Sequence, residues 1–231
     1  MDHPFGAGAN GTLPGMEDRK TFGNRPNGIY VPRFRNVTDK HPQFVRGYGF
    51  QGGAARRDWR RGATTPGFGA EFKNALLKSL GPWSFWMGGW GECLPRPENF
   101  VALHPTVKDK WGVPALHVQC TWGPNGLAIL RDIQVTAAEI LEAAGAKDIE
   151  IFNDELPPGL CIHEMGTARM GRDPKTSVLN GWNQSHDVPN LFVTDGACMA
   201  SSGNQNPSIT YMALTARACD YAVAQLKRRD L

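Results

Sequence analysis

Long hydrophobic runs are missing from this chain. No apolar stretch approaches the roughly 18 to 20 residues that cross a bilayer, so no helical membrane span is written in it. The opening Met1-Asp2-His3-Pro4 lacks a basic stretch followed by a greasy one, and reads as no export leader. Charge of one sign is scarcely in surplus: 25 Lys and Arg face 22 Asp and Glu, and a net charge of +3 without a basic block argues against a nucleic-acid partner. Cysteines are few. The five, from Cys93 to Cys219, are an odd number with no C-x-x-C pair, which excludes a zinc knuckle or a dithiol couple and leaves buried thiols as the simplest reading. Glycine and proline, by contrast, are plentiful, at 27 and 17 of 231 residues. With 41% hydrophobic residues the chain can close the core of one large or two small domains, but an all-helical bundle is excluded.

Residues 1–70 carry few periodic apolar runs and are expected to fold only together with the rest of the chain. Within them Gly28–Phe34 reads as a short strand, and Pro66-Gly67-Phe68-Gly69 as a turn before a helix over Glu71–Lys78. Farther along, Asn99–Leu103 and Leu116–Trp122 alternate as half-buried, paired strands do. Leu127, Leu130, Ile133, Ala137, Ile140 and Leu141 recur at helical spacing between Pro124-Asn125 and a stop at Gly145. Ile149–Phe152 reads as a strand and Asn190–Gly196 as a buried one ending in a loop. A final helix is marked by Asn206 as cap, Pro207 in its first turn, the stripe Ile209, Met212, Ala213, Ala216, Val223 and Leu226, and Lys227, Arg228 and Arg229 at its far end. The fold class is α+β, with a mainly antiparallel or mixed sheet backed by helices.

Three familiar strings fail on their context. Gly6-Ala7-Gly8-Ala9-Asn10-Gly11 matches a dinucleotide fingerprint, but only five residues precede it and Pro14-Gly15 stands where a helix should begin, so it reads as a Gly-rich loop. His163-Glu164-Met165-Gly166-Thr167 begins like a zinc-protease helix yet has Thr167 in place of the second histidine. No G-x-S-x-G elbow occurs. Metal and hydrolase chemistry are therefore not expected. Arg56, Arg57, Arg60 and Arg61 form a solvated basic loop. Trp83, Phe85, Trp86 and Trp90 are either core or interface filler or a sugar-stacking surface. His163 and Asn206 are either a structural histidine and an N-cap, or a base and an amide that serve one substrate oxygen.

An ordered set of motifs decides between these. Gly91–Pro95, Asn99–Val101, Asp109–Pro114, His163–Gly171, Asn190–Ala197 and Asn206–Thr210 resemble the C-terminal half of the glucose-methanol-choline (GMC) flavin oxidoreductases, strongly over residues 88–227. Met1-Asp2-His3 and Pro26–Tyr30 resemble its bacterial glucoside 3-dehydrogenase and gluconate dehydrogenase large-subunit branch. The resemblance implies FAD as cofactor and oxidation of CH–OH groups of sugars or related alcohols. It makes His163 the proton acceptor and Asn206 the ligand of the substrate oxygen. Asp195 and Gly196 would lie against the flavin ribityl and phosphate, and Pro207, Ser208 and Ile209 would set a helix N-terminus at the pyrimidine end of the ring. Residues 1–87 would be an irregular part of the substrate domain and 88–231 its catalytic region. The final helix would pack on an FAD-binding Rossmann domain that this sequence lacks. That lack is expected of a truncated frame, a fragment or one piece of a split protein. Further partners implied are a small accessory subunit and an electron-accepting cytochrome, with the bacterial periplasm as a compartment some relatives use. The alternative is a non-catalytic remnant or carbohydrate-binding module without flavin.

Overall fold

A computed structural model describes residues 1–19, 28–56, 62–78 and 82–231. Its centre is a sheet of five strands, β1 (Ala7–Leu13), β2 (Ile29–Val31), β3 (Tyr48–Arg56), β4 (Trp83–Gly91) and β7 (Lys147–Asn153). They lie in the order β2-β3-β4-β1-β7 with every neighbouring pair antiparallel. The antiparallel α+β expectation is met. The sheet draws strands from both sides of residue 87, so the Gly- and Pro-rich opening is part of its fabric.

The glycine string read as a loop is the strand β1, flanked on both sides by partners. Glycine is poor in strands for want of side-chain packing, but here close approach requires it: a Cβ on Gly8 would collide with the Met87 carbonyl oxygen. Ala7 and Ala9, fully buried, keep the other face of the strand thin.

Over that thin face lies α2 (Pro124–Ala143), which starts on its proline and stops where Gly145 takes a left-handed φ of 85°. Its buried stripe runs through Ile129, Leu130, Ile133, Ala137 and Leu141, whereas Leu127, expected on it, is exposed and Ile129 takes its place. Burying each large aliphatic contributes about 1.5–3 kcal/mol. The helix sits close because β4 offers it glycines: a Cβ on Gly89 would come within 2.6 Å of Ile133 Cγ2. Arg35 Nε donates to Asp132 Oδ2 at 2.8 Å and the Tyr48 hydroxyl donates to the same carboxylate, fastening the loop before β3 to α2. Burial, reinforced by Asp132, pushes the Tyr48 hydroxyl up to about 12.

Alternation along β4 splits its aromatics between two faces. Phe85 joins the core under α2, while Trp86 and Trp90 turn to the opposite face, where a Cβ on Gly88 would touch both. Arg56 closes β3; Arg57, Arg60 and Arg61, like Pro26 and Asn27, lie outside the described residues.

The remaining elements are more exposed than their patterns suggested. Strands β5 (Phe100–Lys108) and β6 (Pro114–Gln119) pair as expected, but as a separate hairpin, and Val101, Leu103, Leu116 and Val118 are exposed because no described element packs on them. A short helix α1 (Gly69–Lys78) comes after its predicted turn. Asn190–Gly196 is no buried strand; it finds only the single bridge Gln184–Phe192 and ends in a 3-10 turn, Gly196–Cys198. Of the thiols, Cys93, Cys161 and Cys198 are buried, Cys120 is half-buried and Cys219 is exposed.

The last helix, α3 (Ser208–Arg228), occupies the expected span. Pro207, not Asn206, is its N-cap, and no side chain caps it. Its contacts use polar and aromatic groups: Arg217 Nη2 donates to Asn183 Oδ1 at 3.2 Å, and Tyr221 stacks on Trp182 with ring centroids 4.9 Å apart. The apolar stripe is left open, with Ile209 77% and Met212 71% exposed. None of the described helices is long and apolar enough to cross a membrane.

The close fit of α2 on β4 is open to a double-mutant cycle. Gly89→Ala is expected to cost about 1–3 kcal/mol by overpacking and Ile133→Ala about 2–5 kcal/mol by cavity formation. Urea unfolding of the double variant should show a loss smaller than the sum, because the new methyl enters the space vacated; strict additivity would place the two residues out of contact.

Candidate functional site

The face of the sheet opposite α2 carries the site. On β3 and β4, Gln51 and Trp86 form its floor; with Tyr30 of β2 and Asn206 before α3 they line a cleft of about 380 Å³. Beside it runs the irregular segment between β7 and α3, which holds its shape through backbone pairing. Gly166, Ala168 and Met170 donate in turn to the carbonyls of Gly196, Ala197 and Cys198 at 2.9–3.0 Å. Glycine is required at the first step: a Cβ on Gly196 would press on the Glu164 carbonyl and the Tyr211 hydroxyl.

His163 sits on this segment and is 9% exposed. Ile162 before it has a φ of 59°, a left-handed conformation strained for a β-branched residue, so the backbone is turned sharply where it presents the imidazole. Burial lowers the His163 pKa, outweighing the raising influence of Asp2, Glu164 and the neighbouring Asn206 side chain. The two groups read from sequence as a pair are thus brought together.

A residue given no role by the sequence completes the cluster. His3, fully buried, sets its Nδ1 3.0 Å from His163 Nδ1, and its Nε2 faces the Ser202 carbonyl at 3.5 Å. Cys161 Sγ lies 3.6 Å from His163 Nδ1, and burial pushes its thiol up to about 12, so it is uncharged at neutral pH. No ligand cluster was expected, yet donor atoms of His3, Cys161 and His163 all lie within 4.8 Å of one another. The 3.0 Å between the imidazoles is a hydrogen-bond length, shorter than the roughly 3.3 Å between two nitrogens bound tetrahedrally to one zinc.

The other expected residues gather nearby but do different things. Asp195 is exposed and its carboxylate accepts from Ala197 N at 2.9 Å, shaping the turn that holds Gly196. Pro207 is buried; Ser208 and Ile209 are exposed and open a helix whose first amides have no side-chain cap. The Tyr211 hydroxyl is buried without a hydrogen-bond partner among the described residues. A helix start without a side-chain cap and an open cleft suit one polar edge and one face of a flat heteroaromatic ring. A second cleft, of about 410 Å³ between Met170 and Arg217, contains none of these groups.

Comparison with known proteins shows what the chain is similar to. The family profile described as GMC oxidoreductase matches residues 95–215. A 2-methyl-1,2-propanediol dehydrogenase of Mycolicibacterium austroafricanum is 36% identical over 205 residues, 80% of this chain and 34% of that protein. The fructose dehydrogenase large subunit of Gluconobacter japonicus is 36% identical over 140 residues, 59% of this chain and 25% of its own length. The gluconate 2-dehydrogenase flavoprotein of Pantoea cypripedii is 30% identical over 159 residues, 65% of this chain and 25% of its own. The chain therefore spans about a quarter to a third of these relatives.

The His3 imidazole is expected to make stability sensitive to acid. Burial, and then the neighbouring His163, lower its pKa from 6.5 to about 4 against the weaker pull of the Ser202 carbonyl and Asp2. Between those values the unfolded chain binds a proton that the folded one refuses. The contribution is therefore complete above pH 6.5 and is lost as the pH falls toward 4, by about 3 kcal/mol in all. Urea unfolding at pH 7.5 and 4.5 should show a smaller acid loss in His3→Gln than in the parent, and equal losses would mean that His3 titrates normally.

Proposed function

The chain belongs to the GMC oxidoreductase family, whose profile matches more than half of it, and from that premise we propose that it is the substrate-side, proton-accepting portion of an FAD-dependent oxidoreductase acting on CH–OH groups of sugars or related alcohols. The observation that carries this reading is the meeting of His163 with Asn206 beside an open cleft, on residues 43 positions apart in the numbering. The relatives' names, a diol dehydrogenase, a fructose dehydrogenase large subunit and a gluconate 2-dehydrogenase flavoprotein, supply the substrate class.

In this reading the substrate hydroxyl lies between the imidazole and the carboxamide. His163, neutral because its pKa is lowered, accepts the hydroxyl proton, and the Asn206 amide holds the same oxygen while charge builds on it. Trp86 gives the cleft an apolar wall suited to the C–H face of a pyranose. FAD, when bound, supplies the acceptor for the hydride that leaves the carbinol carbon. The uncapped amides of Ser208 and Ile209 would face its polar ring edge, and the turn at Asp195 and Gly196 its ribityl side.

Nothing among the described residues offers a dinucleotide cradle, since the glycine string at residues 6–11 is spent on strand β1. An FAD-binding half is accordingly the first partner, and the open stripe of α3, with Ile209, Met212, Val223 and Leu226, is the surface it would cover. Residues 88–231 carry the catalytic region in this scheme and 1–87 complete the substrate side. A small subunit and a cytochrome acceptor complete the partners.

The test is reconstitution. Combined with the FAD-binding half of a family relative, the chain should reduce an artificial electron acceptor in the presence of a sugar or diol, and His163→Ala should lower kcat by roughly 10²- to 10⁴-fold. Undiminished turnover in that variant would remove His163 as the base. A chain that stays colourless with both FAD and that half, yet binds sugar by calorimetry, would instead be a carbohydrate-binding remnant.

A further inference from the structure

We propose that His3 is a positioning residue that sets the tautomer of His163: a chain of hydrogen bonds from the Ser202 carbonyl through both imidazoles puts the His163 proton on Nδ1 and leaves the Nε2 lone pair free. The inference deepens the reading of His163 as the base, because only an unprotonated Nε2 accepts a proton from the alcohol.

The order of the hydrogen bonds is set by their one fixed end. A backbone carbonyl can only accept, so His3 Nε2, 3.5 Å from the Ser202 oxygen, is the nitrogen that carries hydrogen in the neutral ring. His3 is fully buried, which removes solvent as a rival partner. Its Nδ1 then presents a lone pair, and the 3.0 Å gap to His163 Nδ1 needs one proton, which only His163 can supply. A neutral imidazole has a single N–H; with that proton on Nδ1, Nε2 is bare.

The reverse order is penalised at both ends. It would turn a His3 lone pair against the Ser202 carbonyl inside a buried pocket, and would place hydrogen on His163 Nε2. The other neighbours do not impose an order of their own. Asn206 can turn its oxygen or its nitrogen toward the ring, and Cys161 Sγ, 3.6 Å from His163 Nδ1, is an uncharged thiol that tolerates either state. Asp2 carries His3 into position, since its carboxylate accepts from the His3, Gly159 and Cys161 amides.

Long-range proton–nitrogen NMR of the full 231-residue chain, labelled with ¹⁵N-histidine at pH 7.5, reads the tautomers directly. His163 is expected as the Nδ1–H form and His3 as the Nε2–H form. His3→Leu, which leaves nothing to accept the Nδ1 proton, should convert His163 to the Nε2–H form. His3→Gln, whose side-chain oxygen can accept it, should restore Nδ1–H, a rescue that a purely space-filling role would not give. The proposal is overturned if the parent shows His163 as Nε2–H, or if His3→Leu leaves its pattern unchanged. Should His3→Leu not fold, the parent and His3→Gln spectra decide alone. No flavin or turnover enters the measurement, so its failure is distinct from failure of the base assignment, which the reconstituted enzyme tests.

Discussion

One buried carboxylate fastens the first residues of the chain to the loop that carries the site. Asp2 is 1% exposed, and its oxygens accept from the amides of His3 and Gly159 at 2.8 Å and of Cys161 at 3.4 Å. A carboxylate so enclosed is stable only while those donors are in place, so the loop must adopt the turn that aims them at it. Met1 and Met165 exchange backbone hydrogen bonds beside it, and the Pro4 carbonyl accepts from Gly91 N at the end of β4. Sheet, opening strip and His163 loop are thereby one unit. Loosening of Asp2 would release His3, and with it the neighbour on His163 Nδ1.

The sheet makes this possible by keeping its two faces distinct. Toward α2 it is thin and apolar, with Ala7, Ala9, Gly89 and Gly91 allowing the helix to approach and Ile129 and Ile133 filling the gap. Toward the site it presents Gln51, Trp86 and Trp90. A site on such a floor needs few regular elements of its own, and the segment from residue 154 to residue 207 has almost none. The unevenness of α3 belongs to the same design. Its polar and aromatic side anchors the loop through Asn183, Gln184 and Trp182, while its apolar side faces away from everything described.

Local pattern was a sound guide where packing partners are close in sequence. The periodicity over residues 124–143 located α2 and its stop, and the alternation around residues 100 and 117 located the hairpin. It misled where the cause is distant. The string from Ala7 to Gly11 lies in a strand because of Met87, Ala146 and Phe152, some 80 to 150 positions away, and nothing local announces them. Asn190–Gly196 has the composition of a buried strand without a sheet to enter. Asn206 stood where an N-cap belongs, and local rules alone would have kept it there. Local chemistry makes His163 and Asn206 candidates and the family resemblance gives them roles, whereas His3 goes unassigned because a lone histidine near the start carries no spacing signal. Its only trace was the Asp2-His3 pair, whose meaning depends on Gly159 and Cys161.

If His163 is the base, as proposed, an imidazole behind it has a consequence that a carboxylate would not share. Either group can accept the Nδ1 proton and hold the ring in one tautomer. A carboxylate would also stabilise the protonated imidazole and raise its pKa, so that at neutral pH more of the base would already be occupied by a proton. His3, kept neutral by burial down to about pH 4, accepts the hydrogen bond without contributing that charge. The Asp2 carboxylate, which acts on His163 through space, is spent on backbone amides. On the proposed hydrogen-bond order, orientation and basicity are controlled by different residues: His3 decides where the proton sits, and burial with the carboxylates of Asp2 and Glu164 decides how readily a second one arrives. In the proposed reading, an alcohol that must lose its proton at neutral pH would be served by that division, because the accepting nitrogen would be both aimed and empty before substrate enters.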